Sequence, residues 1–414
     1  MNKKRHEKNL RQELAQELTG MTQGALQEFL HEKVREALAC VIEAEVESLC
    51  GRAYQPDHGS PYKRAGSAES YAFVDGRREA FKRPRVRYHD GTGSHEYTLR
   101  SVGMAQSPEQ WEDTMYRATL SGVSTRDMPL LRGEDLSGES SSNLSRLWKR
   151  KSAELVKQVQ ESDLSGVDLL VLMLDAVHLV KGTTVTVALG FDTEGNKHVL
   201  GFRVGCSENK EVCSDLLANL TGRGLSPWPE RKLLAVLDGS KALEGALLQH
   251  FPDAVVQRCL VHKERNIKSY LSQQHWGKLS GLFQKLRESQ GKEAGEKALG
   301  QIKSFLADKN ANAQQSLEEA GDSLVALHSL DVPLSLHRPF LSTNSIENLF
   351  RNLRRHLGRV CRWREETDQA DRWMASGLSL ASAGFHRVKG FKELGLLAKA
   401  LEYGKHPQED AKAA

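Results

Sequence analysis

Leu169-Leu170-Val171-Leu172-Met173-Leu174-Asp175 and Leu233-Leu234-Ala235-Val236-Leu237-Asp238 are short apolar runs that each close on one aspartate. A continuous apolar run of this length, bounded by polar residues, reads as a strand buried on both faces, as in a sheet covered by helices. Around them the pattern alternates. Thr184–Gly190 and His198–Phe202 read as strands joined by the turn Asp192–Asn196, followed by a helix over Lys210–Thr221. The strand ending at Asp238, a helix over Lys241–Phe251 and a short strand Ala254–Gln257 complete the block. Three adjacent strands followed by strands reached through helical crossovers predict a mixed five-stranded sheet. Residues 260–330 show no strand pattern and read as a helical insertion.

Beyond the insertion, Asn344-Ser345-Ile346-Glu347-Asn348-Leu349-Phe350-Arg351 opens a basic amphipathic helix. Ile346, Leu349, Phe350, Leu353, Leu357 and Val360 form its apolar stripe, and Glu347, Arg351 and Arg354 line the flank beside it. A carboxylate where a buried strand meets the sheet edge is reachable by water and ions. Three carboxylates gathered there suit a hard cation such as Mg²⁺, the apparatus for in-line attack on a phosphodiester. Each acid also has a plain structural reading. Asp175 is then a strand-end acid turned to solvent, Asp238 the N-cap of the next helix, and Glu347 part of a capping arrangement with Asn344.

At 414 residues the chain calls for two to four domains. Its net charge of +4 is mild, so the distribution of charge says more than the sum. The longest apolar runs are too short to span a membrane, and Met1-Asn2-Lys3-Lys4-Arg5 is not followed by a signal-peptide core. Six scattered cysteines fit reduced thiols, hence a cytoplasmic setting. No G-x-x-x-x-G-K-[ST] loop exists, which argues against a nucleotide cofactor.

The remaining segments suggest these boundaries. Residues 1–65 are a helical region, with Leu26, Phe29, Leu30, Val34, Leu38 and Val41 at helical spacing, followed by a Gly/Pro/Ser/Tyr-rich linker from Gly51 to Ala65. Residues 66–105 are a small basic β element in which Tyr71–Val74 meets an Asp75-Gly76 turn and Phe81–Tyr88 leads to Asp90-Gly91. Its cluster of Arg77, Arg78, Lys82, Arg83, Arg85 and Arg87 is either a solvated sheet face or a phosphate-contacting surface. Residues 106–160 read as three helical pieces, the second opened by Ser124-Thr125-Arg126-Asp127-Met128 and the third carrying Arg146, Lys149, Arg150 and Lys151. The pattern matches a DNA-binding helix-turn-helix, and equally a small helical bundle. Residues 165–258 hold the first part of the sheet core, 259–340 the insertion, 341–404 the closing helices and 405–414 a tail.

Asp175-Ala176-Val177-His178, Asp238-Gly239, Arg258-Cys259-Leu260-Val261-His262 and Thr343-Asn344-Ser345-Ile346-Glu347 with Arg351 resemble the catalytic blocks of the Mutator-type bacterial insertion-sequence transposases. The resemblance covers roughly residues 25–400 and includes Gly122–Asp127 of the helix-turn-helix block. Between the acids lie spacings of 63 residues, Asp175 to Asp238, and 109 residues, Asp238 to Glu347, room for a helical insertion. It implies an α/β core of ribonuclease-H-like type with Asp175, Asp238 and Glu347 as catalytic metal ligands for Mg²⁺, with Mn²⁺ as substitute. His178, Cys259, His262 and Arg351 would support them, and Arg126, Arg146, Lys149, Arg150 and Arg354 would contact DNA. The implied partners are terminal inverted repeats and target DNA, bound by a homodimer or larger assembly. Phe350 stands where a more polar residue is expected. Cys259-x-x-His262 has no second pair at ligand spacing, so no zinc is expected. Two rival functions share these residues: a nuclease of the same fold without strand transfer, and a domesticated DNA-binding regulator.

Overall fold

The computed structural model describes residues 21–403 apart from 75–76, 108, 125–140, 181–182, 206–208, 228–229, 359 and 361–366. The chain forms two compact units, Met1–Trp148 and Lys149–Ala414. No helix of the described residues is long and apolar enough to cross a membrane.

The first unit begins with α1 (Gln23–Cys50), whose first turn is capped by the Thr22 hydroxyl, accepting from Ala25 N at 3.3 Å. Helical spacing identified a stripe on α1 but not where along it a partner stands. Leu26, Leu30, Val34 and Val41 are exposed, while Ile42, Val46 and Cys50, nearer the C-terminus, pack with Val86, Leu99 and Val102. Residues 51–65 are not a linker. Strands β1 (Gly51–Arg52) and β2 (Gln55–Pro56) pair, and β3 (Tyr62–Val74) starts within the stretch, Tyr62 meeting Tyr88 and Tyr97. Gly, Pro and Ser serve tight turns as readily as linkers, so composition alone misreads them. Strands β3, β4 (Arg77–His89) and β5 (Ser94–Tyr97) form an antiparallel sheet in that order. The Asp75-Gly76 turn lies outside the described residues. The Asp90-Gly91 turn holds Gly91 at φ 82° while Asp90 accepts from Thr92 N and Gly93 N. Helices α2 (Arg100–Ala105) and α3 (Glu109–Leu120) follow. The expected second helix of the helix-turn-helix falls on residues 125–140, outside those described. Helix α4 (Ser141–Glu161) runs across the boundary between the units.

The second unit is built on β6 (Leu169–Val180), β7 (Thr183–Asp192), β8 (Lys197–Gly205), β9 (Leu234–Leu237) and β10 (Val255–Arg258). Their order is β10-β9-β6-β7-β8, with β10, β9 and β6 parallel and β7 and β8 antiparallel, which is the mixed five-stranded sheet read from sequence. Helices α5 (Lys210–Gly222) and α6 (Lys241–His250) cover one face, packing on Leu172, Leu174, Ala235 and Leu237. Alternation sends Val171, Met173, Leu234 and Val236 to the opposite face. There they meet a larger helical layer. Its members are α7 (Leu260–Ser269), α8 (Trp276–Glu288), α9 (Lys292–Ala307), α10 (Ala311–Ala320), α11 (Ala326–Ser329), α12 (Leu334–Phe340), α13 (Asn344–Leu357), α14 (Gln369–Ser382) and α15 (Leu394–Ala400). The stretch 259–340 is helical throughout its regular structure, and buried Gln257 ties it to the sheet. The Gln257 amide donates to Leu324 O at 3.1 Å and accepts from Leu327 N at 2.8 Å.

Candidate active site

Strand register builds the site. Parallel pairing of β6 with β9 ends at Leu174↔Leu237, and that of β9 with β10 ends at Leu237↔Arg258. Asp175 continues β6, while Asp238 and Cys259 are the first residues past the ends of β9 and β10, so the three follow the last paired residues of neighbouring strands. Period two puts Asp175 on the face of Val171 and Met173, the one covered by the larger helical layer. Leu260 N donates to Leu341 O at 2.9 Å, which brings the start of α13 to the same edge.

The plain readings of the acids give way to more particular ones. Asp175 is not turned to solvent: it is only 9% exposed and accepts from Ala176 N at 2.8 Å. Nor does its strand end there, since β6 continues to Val180 along β7, with Asp175 opposite Val187. Asp238 is not the N-cap of α6. Ser240 caps it, and Asp238 Oδ1 accepts from Ser240 N at 2.8 Å. Gly239 between them adopts φ 115°, and a Cβ there would collide with the Arg258 guanidinium. Glu347, in the first turn of α13, accepts from the Thr343 hydroxyl at 3.2 Å rather than engaging Asn344.

Thr343 is the hub of the edge. It is fully buried, and its hydroxyl lies 3.2 Å from His262 Nδ1, with Glu347 Oε1 at 3.2 Å and Cys259 Sγ at 3.4 Å as the acceptors open to its one hydrogen. His262 Nε2 lies 3.6 Å from Glu347 Oε1. Cys259 Sγ, with no exposed surface, accepts from His262 N at 3.5 Å and Thr343 N at 3.4 Å. The Cys-x-x-His motif is therefore a bracket: Cys259 caps α7 and fixes the Thr343 backbone, while His262 faces the glutamate. His262 is pushed up to about 9, first by its hydrogen bond to Cys259, against the opposing effect of burial; the negative charges of Glu347 and Asp175 add to the rise. Burial raises the Cys259 thiol, but the hydrogen bonds from His262 and Thr343 outweigh it and leave it below its ordinary value.

Asp175 and Asp238 follow the last paired residues of neighbouring strands, and Glu347 lies in the first turn of α13. Among the described residues no three His, Cys, Asp or Glu side chains are drawn together closely enough to enclose an ion. A family model described as "Transposase, Mutator family" matches residues 3–369. This chain belongs to that family. The transposase for insertion sequence element IS905 of Lactococcus lactis is 26% identical over 344 residues, 80% of this chain and 83% of the relative. That for IS1201 of Lactobacillus helveticus is 25% identical over 354 residues, 81% of this chain and 90% of the relative. That for IS1081 of Mycobacterium tuberculosis is 24% identical over 404 residues, 94% and 91% of the two chains.

Set in this Mutator-family chain, the other expected site residues fall as follows. His178 lies on the opposite face of β6 from Asp175, exposed, with Nδ1 2.8 Å from the Thr184 hydroxyl. Arg351 and Arg354 are exposed on α13, one turn and two turns past Glu347. Phe350 is 3% exposed and packs in the core, which accounts for an apolar residue at that position. Arg146, Lys149 and Arg150 are exposed along α4, Arg146 donating to Asn143 at 3.3 Å. Arg126 lies outside the described residues. In the β element Arg83 and Arg85 are both held by Glu96, at 2.9 and 2.5 Å, and their hydrogen bonds, Arg85 first, draw that carboxyl down to about 2. Those two arginines thus serve the sheet itself. Thr343 and Arg258 stand within the blocks that carry the resemblance, but the sequence assigns neither a role; Lys263 goes unmarked, and it and Arg258 are charged yet almost fully buried beside Asp238.

Proposed function

We propose that this transposase-family chain binds the terminal inverted repeats of an insertion sequence and performs strand cleavage and strand transfer at Asp175, Asp238 and Glu347 in a ribonuclease-H-like core. The observation that carries the reading is register: Asp175 and Asp238 occupy adjoining positions past Leu174↔Leu237, with Asp175 on the face against which the Glu347 helix packs. With their side chains drawn closer than they stand in this structure, these carboxylates would hold Mg²⁺, which when bound lowers the pKa of the attacking water or hydroxyl and stabilises the leaving 3′ oxygen. Thr343 and His262 orient Glu347, and His262 is placed to donate a hydrogen bond to a phosphate oxygen. Arg351 and Arg354, on the flank of Glu347, meet backbone phosphates through their planar guanidinium forks. Water attacks phosphorus at the element end, the bond to the 3′ oxygen breaks, and a 3′-hydroxyl is freed. That hydroxyl then attacks a target phosphodiester, exchanging one P–O bond for another with no protein–DNA covalent intermediate.

The test incubates purified protein with labelled element ends, target plasmid and Mg²⁺, and maps nicks and joints. Nicks at the 3′ ends with joined products support transposition. Nicks without joints leave the nuclease reading, and end binding with neither product leaves the regulator.

A further inference from the structure

Beside Asp238 the second unit opens into a cleft of about 1030 Å³, walled by α7, α10 and the Asp238–Lys241 turn. We infer that this cleft seats an unpaired DNA strand continuous with the scissile phosphate, with Tyr270 as a stacking platform for one base and Arg265 and Lys241 as backbone contacts. The inference rests on the reading of Asp238 as part of the strand-cleaving centre, since the cleft begins at that residue.

Charge favours a polyanion. Lys241, Arg258, Lys263 and Arg265 line the cleft against two acids, Asp238 and Glu319. Arg258 and Lys263 are 4% and 3% exposed and form its floor. Both lean on the same carboxylate, Glu319, at 3.2 and 3.1 Å, with Arg258 reaching Glu244 at 3.5 Å. Arg258 Nε is buried with no hydrogen-bond partner. The two buried cations face Glu319 and Glu244, and Lys263 also donates to Ser316 O at 2.9 Å, so the unmet need at the floor is the Arg258 Nε donor, which an anionic ligand relieves. At the rim, Lys241 and Arg265 are exposed.

The aromatic ring decides between one strand and two. Tyr270 follows the last residue of α7 and is 43% exposed on the cleft wall. A ring on the wall of a cleft a few nucleotides in volume stacks only on a base already out of its pair, whereas a duplex presents its phosphates outward and its base faces to one another.

The test cross-links full-length protein to a short single-stranded oligothymidylate carrying 5-iodouracil, maps the attached peptide by mass spectrometry, and measures affinity by anisotropy. The cross-link is expected on Tyr270. Tyr270→Ala should remove it and weaken single-strand affinity about tenfold, within the range of one stacked base, while Tyr270→Phe restores both. Arg265→Glu should weaken binding and flatten its salt dependence. Attachment elsewhere, with Tyr270→Ala binding the oligonucleotide as tightly as the parent, overturns the inference. Asp238→Asn separates this from the active-site reading. A Tyr270 cross-link that persists in a variant still cleaving normally would preserve the strand seat and remove Asp238 from the chemistry; lost cleavage without any Tyr270 cross-link would do the reverse.

Discussion

At the residue scale, a threonine that contributes no charge holds the site's polar groups in place. Thr343 fixes the rotamer of Glu347 through its hydroxyl and the position of Cys259 through its amide. Polar partners that orient ligands and catalytic groups typically matter 10–100-fold when lost. Thr343→Val, which keeps shape and removes only the hydroxyl, should therefore slow cleavage by roughly 10–100-fold. DNA binding should stay unchanged, and Thr343→Ser should restore the rate; an unchanged rate in the valine variant would make the hydroxyl a packing detail. Gly239 is the second residue that geometry singles out. Gly239→Ala forces a side chain into φ 115° and against Arg258, a strain of order 1–3 kcal/mol. Urea denaturation should show that loss, together with impaired cleavage because Asp238 precedes it. Wild-type stability in that variant would contradict the close approach.

At the element scale, the helices of the insertion carry a pH sensitivity of their own. His328 on α11 and His337 on α12 are buried with ring centroids 4.8 Å apart, one bonded to Leu286 O at 2.8 Å and the other to Arg287 O at 3.3 Å. Burial pushes both below the ordinary histidine value, and for His337 the neighbouring His328 adds to it. A depressed folded value means that the unfolded chain takes up protons first. The stability these groups contribute is present above about pH 6.5 and is lost as pH falls below it, by up to about 1.4 kcal/mol per pH unit for each ring. Thermal melts from pH 7.5 to 5 should show the fall, and His337→Asn should flatten it; parallel pH profiles would refute the assignment. The strands of the core were legible because a run such as Leu169–Leu174, buried on both faces, admits few other readings. Element length was less so, because the continuation of β6 past Asp175 depends on β7, a partner that local sequence does not display. That continuation fixes strand parity, and parity turns His178 away from Asp175. The apolar stripe of α1 was visible, but the half of it that packs is set by where the first unit's sheet stands. Residues 51–65 show the converse case, turn-forming composition that local pairing makes into structure.

At the scale of the whole molecule, a net charge of +4 hides two basic surfaces with different neighbours. Arg83 and Arg85 are both paired with Glu96, whereas Arg146 and Lys149 stand exposed on α4. If α4 contacts the phosphates of the element ends, the double change Arg146→Ala with Lys149→Ala should reduce the slope of log K against log salt by about 2. Alanine at Arg83 and Arg85 should instead lower the stability of the sheet and leave the slope nearly unaltered. The reverse pattern would move the DNA-binding surface to the β element. In the proposed function Asp175, Asp238 and Glu347, carried by three separate elements, act as one catalytic group. Single-turnover cleavage of labelled element ends in Mg²⁺ by Asp175→Asn, Asp238→Asn and Glu347→Gln tests it most directly, with end binding measured on the same preparations. Each variant should lose roughly 10³-fold or more in cleavage, a few kcal/mol of transition-state stabilisation, while binding the ends as the parent does; near-parental cleavage by any folded, DNA-binding variant would contradict the account.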